Sequence, residues 1–101
     1  MLDREFFLGF IKIHILYHAA TEPIFGVEII KELARHGYNI SPGTLYPMLH
    51  RLAENGYLES SSRLVNGRVR KYYQATAKGK LVLEKSRKKI RELVTEVLEE
   101  E

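Results

Sequence analysis

The sequence predicts a single, mainly α-helical domain that contains one small β-hairpin. A chain of 101 residues with 45% hydrophobic content is long enough for one hydrophobic core and too short for two ordinary domains. Apolar residues recur at helical spacing in four segments of the chain. Between the third and fourth of these, Asn66-Gly67 joins two extended stretches, and this dipeptide favours the tight turn of a hairpin.

The first helix is predicted from Glu5 to Ala19, where apolar residues occupy almost every side of the helix. A helix that is apolar all round has to be covered on several sides. Because so short a chain has little else with which to cover it, the first helix is expected to lie at a subunit interface.

Two shorter helices follow the break at Glu22-Pro23. The second is predicted from Gly26 to His36, with a left-handed stop at Gly37. The third starts after Ser41-Pro42, where Ser41 is expected to cap the free amides and Pro42 takes the first helical position, and it runs to Asn55-Gly56. Their buried stripes are predicted to be Val27, Ile30, Leu33 and Ala34 in the second helix, and Leu45, Met48, Leu49 and Leu52 in the third.

The hairpin strands are predicted from Tyr57 to Val65 and from Arg68 to Thr76. Thr76 then caps a last helix whose apolar residues alternate at spacings of three and four, a short heptad seam that indicates docking against a partner helix. The tail Glu99-Glu100-Glu101 is expected to fray, since its charges oppose the helix dipole. The residues expected at a dimer interface are Phe6, Phe7 and Phe10 in the first helix and Leu83, Ile90, Leu93 and Val97 in the last.

Two helices joined by a tight turn, then a basic hairpin and a further helix, is the order of a winged helix-turn-helix. We assign residues 1–77 to this DNA-binding domain and residues 78–101 to a C-terminal dimerisation helix of the same compact unit. The major groove of B-DNA admits one α-helix, and the third helix is the one predicted to enter it.

The charge distribution favours a polyanionic partner more strongly than the net charge of +3 does. Eleven Lys and Arg residues and only one acidic residue, Glu84, lie between Arg63 and Arg91. Such a block suits phosphate binding, although its part from Lys78 to Arg91 fits a solvated helix face equally well.

Several motifs resemble the PadR family of transcriptional regulators over about residues 5 to 85. The most specific is Ser41-Pro42-Gly43-Thr44-Leu45-Tyr46-Pro47, and Gly56-Tyr57-Leu58 and Gly67-Arg68-Val69-Arg70-Lys71-Tyr72-Tyr73 follow it. The resemblance implies a homodimer, held by the first and last helices, that binds a roughly palindromic operator in double-stranded DNA and usually represses transcription. It also implies a possible small aromatic effector.

The candidate DNA-binding residues lie on the third helix and in the wing. The resemblance places Thr44, Tyr46, Pro47 and Arg51 on the recognition helix, and their chemistry suits phosphate, thymine methyl or guanine contacts. Pro47 is also expected to distort the first turn, because its ring opposes the carbonyl of Gly43. Ser41 and His50 share that helix, and the wing candidates are Arg68, Arg70, Lys71 and Tyr73. Tyr72 and Tyr73 alternate, so that one should face the domain, but the sequence leaves open which.

Other classes of function find less support in the sequence. His14 and His18 are four residues apart, but with no cysteine and no third ligand beyond Glu22 we expect neither a metal site nor a cofactor. We expect no enzymatic activity, because no nucleophile adjoins a base. A protein-binding winged helix is the alternative, and an exposed apolar patch on the third helix would favour it.

We expect a cytoplasmic, prokaryotic protein that associates with the nucleoid through DNA. No segment approaches the roughly 20 consecutive apolar residues of a membrane span. The start of the chain, with Asp3, Arg4 and Glu5, does not resemble a secretory signal.

Overall fold

The computed structural model describes the backbone of residues 2–99 and the side chains of residues 4–99. It confirms a mainly helical chain with one antiparallel hairpin. The predicted fraying of the acidic tail falls partly on Glu100 and Glu101, which lie outside the described residues. In chain order the elements are α1 (Leu2–Thr21), α2 (Gly26–Arg35), α3 (Pro42–Glu54), β1 (Leu58–Val65), β2 (Arg68–Ala75) and α4 (Ala77–Val97).

Helix α1 forms one wall of the core with only part of its apolar surface. Ile11, Ile15, Leu16 and Ala19 are buried, and Ile15 and Ala19 have no exposed surface. They follow the i, i+4, i+5, i+8 spacing of one helix side. Of the other apolar residues of α1, some are half-buried and some stay exposed because the helix has few neighbours. The half-buried ones are Leu8, Ile13 and Ala20, and the exposed ones are Phe6, Phe7, Phe10 and Tyr17.

Helices α2 and α3 are joined by a tight turn at Gly37, whose φ of +87° confirms the predicted left-handed stop. The predicted buried stripe of α2 is partly wrong. The helix buries Gly26, Ile29 and Leu33, while Ala34 is exposed and Val27 is 51% exposed. The observed buried stripe is thus rotated around the helix axis by about one residue, roughly 100°, relative to the predicted stripe. For α3 the prediction is confirmed, because Leu45, Met48, Leu49 and Leu52 are all buried.

The hairpin turns at Asn66 and Gly67, whose φ angles of 51° and 78° have the positive sign that a type I′ turn needs. Its base belongs to the core, where Leu58, Tyr73 and Ala75 are buried. Ile24, in the α1–α2 connection, pairs with Tyr73 like a short third strand. The hairpin is therefore fixed to the domain at its base, and its tip projects as a wing.

Thr76 caps helix α4 as predicted, since its hydroxyl accepts a hydrogen bond of 3.0 Å from the Gly79 amide. The first half of α4 packs on the domain through Gly79 and Leu83, and its second half is largely exposed. The principal extents of 57 × 28 × 21 Å reflect this projecting helix. Among residues 2–99 we find no helix with the length and apolarity that crossing a membrane demands.

Candidate nucleic-acid interface

The outward side of α3 presents a polar and aromatic surface. Leu45, Met48, Leu49 and Leu52 anchor the opposite side in the core. Four of the predicted DNA-binding residues, Tyr46, Pro47, His50 and Arg51, are consequently exposed together, and Thr44 is half-buried beside them. No large apolar patch lies on this side of α3, so the feature that would favour a protein-binding module is absent from the described residues of the helix.

The start of α3 differs from the sequence expectation in one hydrogen bond. Ser41 is the N-cap residue, but its side chain makes no cap bond to a backbone amide. Its hydroxyl donates instead to the Thr44 hydroxyl at 3.3 Å. The predicted side-chain cap at Ser41 is therefore wrong, and the pair of hydroxyls lies exposed at the N-terminus of the helix.

The Tyr46 ring packs against α2 in the space that a side chain at position 26 would fill. A Cβ atom on Gly26 would overlap the Tyr46 ring. Burial, and to a smaller extent the charge of Tyr46, raise the pKa of the Tyr73 phenol above its ordinary value. Although 42% exposed, Tyr46 therefore has a defined position on the α3 surface.

Pro47 does not interrupt α3, which runs as one α-helix from Pro42 to Glu54. Proline in a helix interior removes one backbone hydrogen bond, here the bond to the Gly43 carbonyl. The Pro47 ring is exposed on the outward side, next to Tyr46 and Arg51. The helix thus continues through Pro47, which presents a rigid apolar ring among polar groups.

The strand register separates the wing cations onto two faces. Arg70 pairs with Arg63 and Arg68 pairs with Val65, so these residues share one face. Lys71 and Tyr73 occupy the other. Arg68 and Lys71 are exposed, while Arg70 is half-buried and lies over the Phe25 ring at 4.2 Å.

The predicted DNA contact of Tyr73 is wrong. This residue is only 4% exposed, and its backbone amide and carbonyl both bond to Ile24. Of the two adjacent tyrosines, Tyr73 faces the core and Tyr72 the arginine face. The predicted site residues did not include Arg63, Phe25 or Tyr72, which lie around Arg70. Pairing of the strands across the Asn66-Gly67 turn would have placed Arg63 opposite Arg70.

Three cations of α4 have a carbonyl or carboxylate partner, unlike the exposed Arg68 and Lys71 of the wing. The Lys78 ammonium donates to the Asn55 carbonyl at 2.8 Å and lies 4.8 Å from the Tyr57 ring centre, where it closes the end of α3. Arg87 pairs with Glu84, and Lys89 pairs with Glu92. This part of the basic block therefore contributes to the helix surface as well as to the positive potential.

An apolar surface runs along α1 and the distal half of α4. Between the helices lies a groove lined mainly by Phe10, Ile13, Val82, Ile90 and Leu93. The predicted interface residues that are exposed here are Phe6, Phe7, Phe10, Ile90, Leu93 and Val97, with exposures from 36% to 58%. Leu83 is the exception. It is 4% exposed because it packs into the core of its own chain, so its predicted role between subunits is wrong.

Three of the four histidines form a small cluster where α1 meets the end of α2. The His14 ring stacks on His36 with centres 4.8 Å apart. The Glu32 carboxylate lies 3.5 Å from His36 Nε2 and 3.9 Å from His18 Nε2. Among the described side chains, those of residues 4–99, no group of three or more His, Asp or Glu is arranged to hold a metal ion.

Comparison with known proteins agrees with this architecture. Residues 15–85 match the model of the transcriptional regulator PadR-like family. The chain is 48% identical over 95 residues to the transcriptional regulator Rv3488 of Mycobacterium tuberculosis, covering 94% of this chain and 89% of that one.

Two solved structures are similar to this chain in both fold and sequence. One is a PadR family transcriptional regulator from Eggerthella lenta, with a TM-score of 0.82 and 32% identity over 95% of this chain and 85% of that one. The other is a PadR-like transcriptional regulator from Bacillus cereus, with a TM-score of 0.78 and 30% identity over 96% and 99% of the two chains. The relatives are regulators rather than enzymes, and their fold is the winged helix. With its family model, relatives and fold in agreement, the chain belongs to the PadR-like family of transcriptional regulators.

Proposed function

We propose that this protein is a sequence-specific DNA-binding repressor without enzymatic activity that acts as a homodimer on a pseudo-palindromic operator. The observation that carries the proposal is the combination of the exposed outward side of α3 with a wing that has cations on both faces. Among the described residues Arg51, Arg68 and Lys71 form no ion pair with a carboxylate. Such cations are available to a polyanion.

In this proposal α3 enters the major groove with its N-terminal half foremost. The Ser41 and Thr44 hydroxyls and the Tyr46 phenol contact backbone phosphates, which fix the position of the helix but contribute no sequence information. Arg51, one turn beyond Pro47, donates to the O6 and N7 atoms of a guanine. His50, which lies 3.6 Å from Glu54, is a further candidate at the edge of this surface.

The wing then lies beside the recognition helix, over the adjacent minor groove. Arg68 is next to the turn and Lys71 is on the opposite face, so the two cations approach phosphates on either side of that groove. In this geometry the recognition helix and the wing make different contributions to DNA binding. The helix selects the sequence, and the wing contributes affinity that depends on salt.

The dimer would be formed by the apolar surface of α1 and α4. Two copies related by a twofold axis place two α3 helices on half-sites about 34–36 Å apart, one turn of DNA. Occupation of the operator would exclude the transcription machinery. Because the target is chromosomal DNA, the proposal implies a cytoplasmic protein, and a small aromatic effector stays an expectation from the family resemblance.

Selection of bound sequences from a random DNA pool by the purified protein tests this proposal. We expect an enriched motif with twofold symmetry and half-sites separated by about one helical turn. Binding without an enriched motif would contradict sequence specificity. An enriched motif without symmetry would contradict the dimeric arrangement.

The Arg51→Ala variant tests which group selects the sequence. We expect its preference to relax at one position of each half-site, at a cost of about 1–3 kcal/mol for the preferred base. Arg35→Ala is the matched control, because Arg35 is exposed on α2 and already paired with Glu32. Equal weakening by Arg51→Ala on all sequences would make Arg51 a phosphate contact.

A further inference from the structure

Two arginines lie directly opposite each other on one face of the wing. The register pairs Arg63 of β1 with Arg70 of β2, and Arg68 follows on the same face. Like charges at directly opposed positions destabilise an antiparallel pair. Within the described residues no carboxylate forms an ion pair with any of the three. The arrangement therefore needs another source of compensation.

Two aromatic rings supply part of the compensation for the repulsion between the opposed arginines. The Arg63 guanidinium lies over Tyr72, 4.4 Å from the ring centre, and the Arg70 guanidinium lies over Phe25 at 4.2 Å. The two rings meet edge to face with their centres 5.4 Å apart. A guanidinium that stacks on a ring uses its flat face, so the N–H groups at its edge remain free to bind a second partner.

The backbone explains why the rings meet there. The Ile24 amide donates to the Tyr73 carbonyl at 2.8 Å, and the Tyr73 amide donates to the Ile24 carbonyl at 2.7 Å. This pair places Phe25, the residue after Ile24, beside Tyr72, the residue before Tyr73. Because Phe25 is also the N-cap residue of α2, the rings connect the arginine face of the wing to the helix-turn-helix.

We propose that Arg63 binds a DNA backbone phosphate next to Arg70, and that Tyr72 and Phe25 are positioning residues that hold the two guanidiniums in place for it. The inference rests on the proposed function, which supplies the anion. A phosphate is the group that suits the site, because a guanidinium edge binds its oxygens bidentately and its charge relieves the repulsion between opposed arginines. The wing then contacts DNA from its first strand as well as its second.

The salt dependence of DNA binding by Arg63→Gln tests the phosphate contact. We expect the slope of log K against log salt to become shallower by about 0.9, the value for one phosphate contact on duplex DNA. Arg91→Gln is the matched control, since it makes the same change in the exposed distal half of α4 and should leave the slope unchanged.

The two possible failures give different results. If the wild-type protein binds no DNA, the proposed function fails. If the wild type binds and Arg63→Gln keeps its slope, only the Arg63 contact is overturned. Circular dichroism melting of each variant establishes that a lost contact is not a lost fold.

A double-mutant cycle between Arg63 and Tyr72 tests the positioning role. We expect Tyr72→Leu to weaken DNA binding about two- to fivefold through loss of the cation–π contact, and Tyr72→Phe to keep the wild-type affinity because the ring remains. In the Arg63→Gln background, Tyr72→Leu should cause no further loss. An equal loss in both backgrounds would show that Tyr72 acts only on the wing structure, and this would overturn its positioning role.

Discussion

His14 illustrates at the scale of one residue how packing changes a proton equilibrium. Its ring lies between α1 and the end of α2, where it stacks on His36 and meets the Tyr38 ring edge to face at 5.6 Å. Burial lowers the pKa of His14 below the ordinary value of 6.5; the charges of His36 and His18 lower it further, and Glu32 acts in the opposite direction. The folded protein thus favours a neutral imidazole at this position.

The stability of the protein should consequently depend on pH through His14. The His14 imidazole binds a proton at a higher pH in the unfolded chain than in the folded chain. The free energy of unfolding therefore decreases as pH falls through 6.5 toward the lowered pKa of the folded state, and this contribution levels off below it. Urea unfolding at pH 7.5 and at lower pH, at one protein concentration, measures the effect.

Two histidine variants isolate this contribution. His14→Gln should show a smaller loss of stability on acidification than the wild type. His50→Gln removes an exposed histidine of α3 and leaves the cluster intact, so the loss of stability attributed to His14 should persist in this variant. An identical pH dependence for the wild type and His14→Gln would contradict the assignment to His14.

Single-residue assignments were the least predictable from the sequence. The ten residues of α2 contain Val27, Ile29, Ile30 and Leu33, which fit two buried stripes about 100° apart, and only packing on α1 and α3 selects Ile29 and Leu33. Tyr73 presents the same difficulty in a strand. Alternation separates it from Tyr72, but the pairing with Ile24 decides which ring is buried.

At the scale of elements, Thr76 connects three parts of the fold. Its hydroxyl accepts from the Gly79 amide in the first turn of α4 and donates to the Gly56 carbonyl just after α3. Its backbone amide donates to the Tyr57 carbonyl at 3.1 Å. One side chain thus sets where α4 begins relative to the end of the recognition helix.

Loss of this hydroxyl should destabilise the domain. We expect Thr76→Ala to lower the free energy of unfolding by about 1–2 kcal/mol, because both a helix cap and a half-buried hydrogen bond are lost. Thr76→Ser keeps the hydroxyl and should retain most of the stability. Denaturant unfolding of both variants is the measurement, and equal losses would show that the methyl group of Thr76 matters rather than its hydrogen bonds.

The elements themselves were predictable because local rules determine their ends. Gly37 and Asn66-Gly67 supply backbone angles that few residues adopt, and Thr76 supplies a cap. The observed helix and strand ends fall within a few residues of the predicted ones. The Arg63–Tyr72–Phe25–Arg70 arrangement was not predictable in this way, since it depends on the pairing of Ile24 with a strand almost 50 residues later in the chain.

At the scale of the whole molecule, the chain is more extended than its length requires. The radius of gyration is 14.8 Å, against about 13 Å for a compact domain of 100 residues. The difference comes from α4, whose distal half leaves the domain with Leu93 and Val97 exposed at 54% and 58%. The apolar surfaces of α1 and α4 together form a face that a second copy can cover.

We expect the protein to sediment as a dimer at micromolar concentration, and Leu93→Glu with Val97→Glu to convert it to a folded monomer. Two carboxylates in this face would be buried without partners on association, which costs several kcal/mol. Leu81→Glu is the matched control. Leu81 is also an exposed leucine of α4, but it points about 120° away from Leu93 around the helix, so this variant should remain dimeric. A monomeric wild type, or a dimeric Leu93→Glu/Val97→Glu variant, would contradict the proposed interface. If the variant is a folded monomer as expected, it should bind DNA more weakly than the wild type, because each half-site is then bound alone.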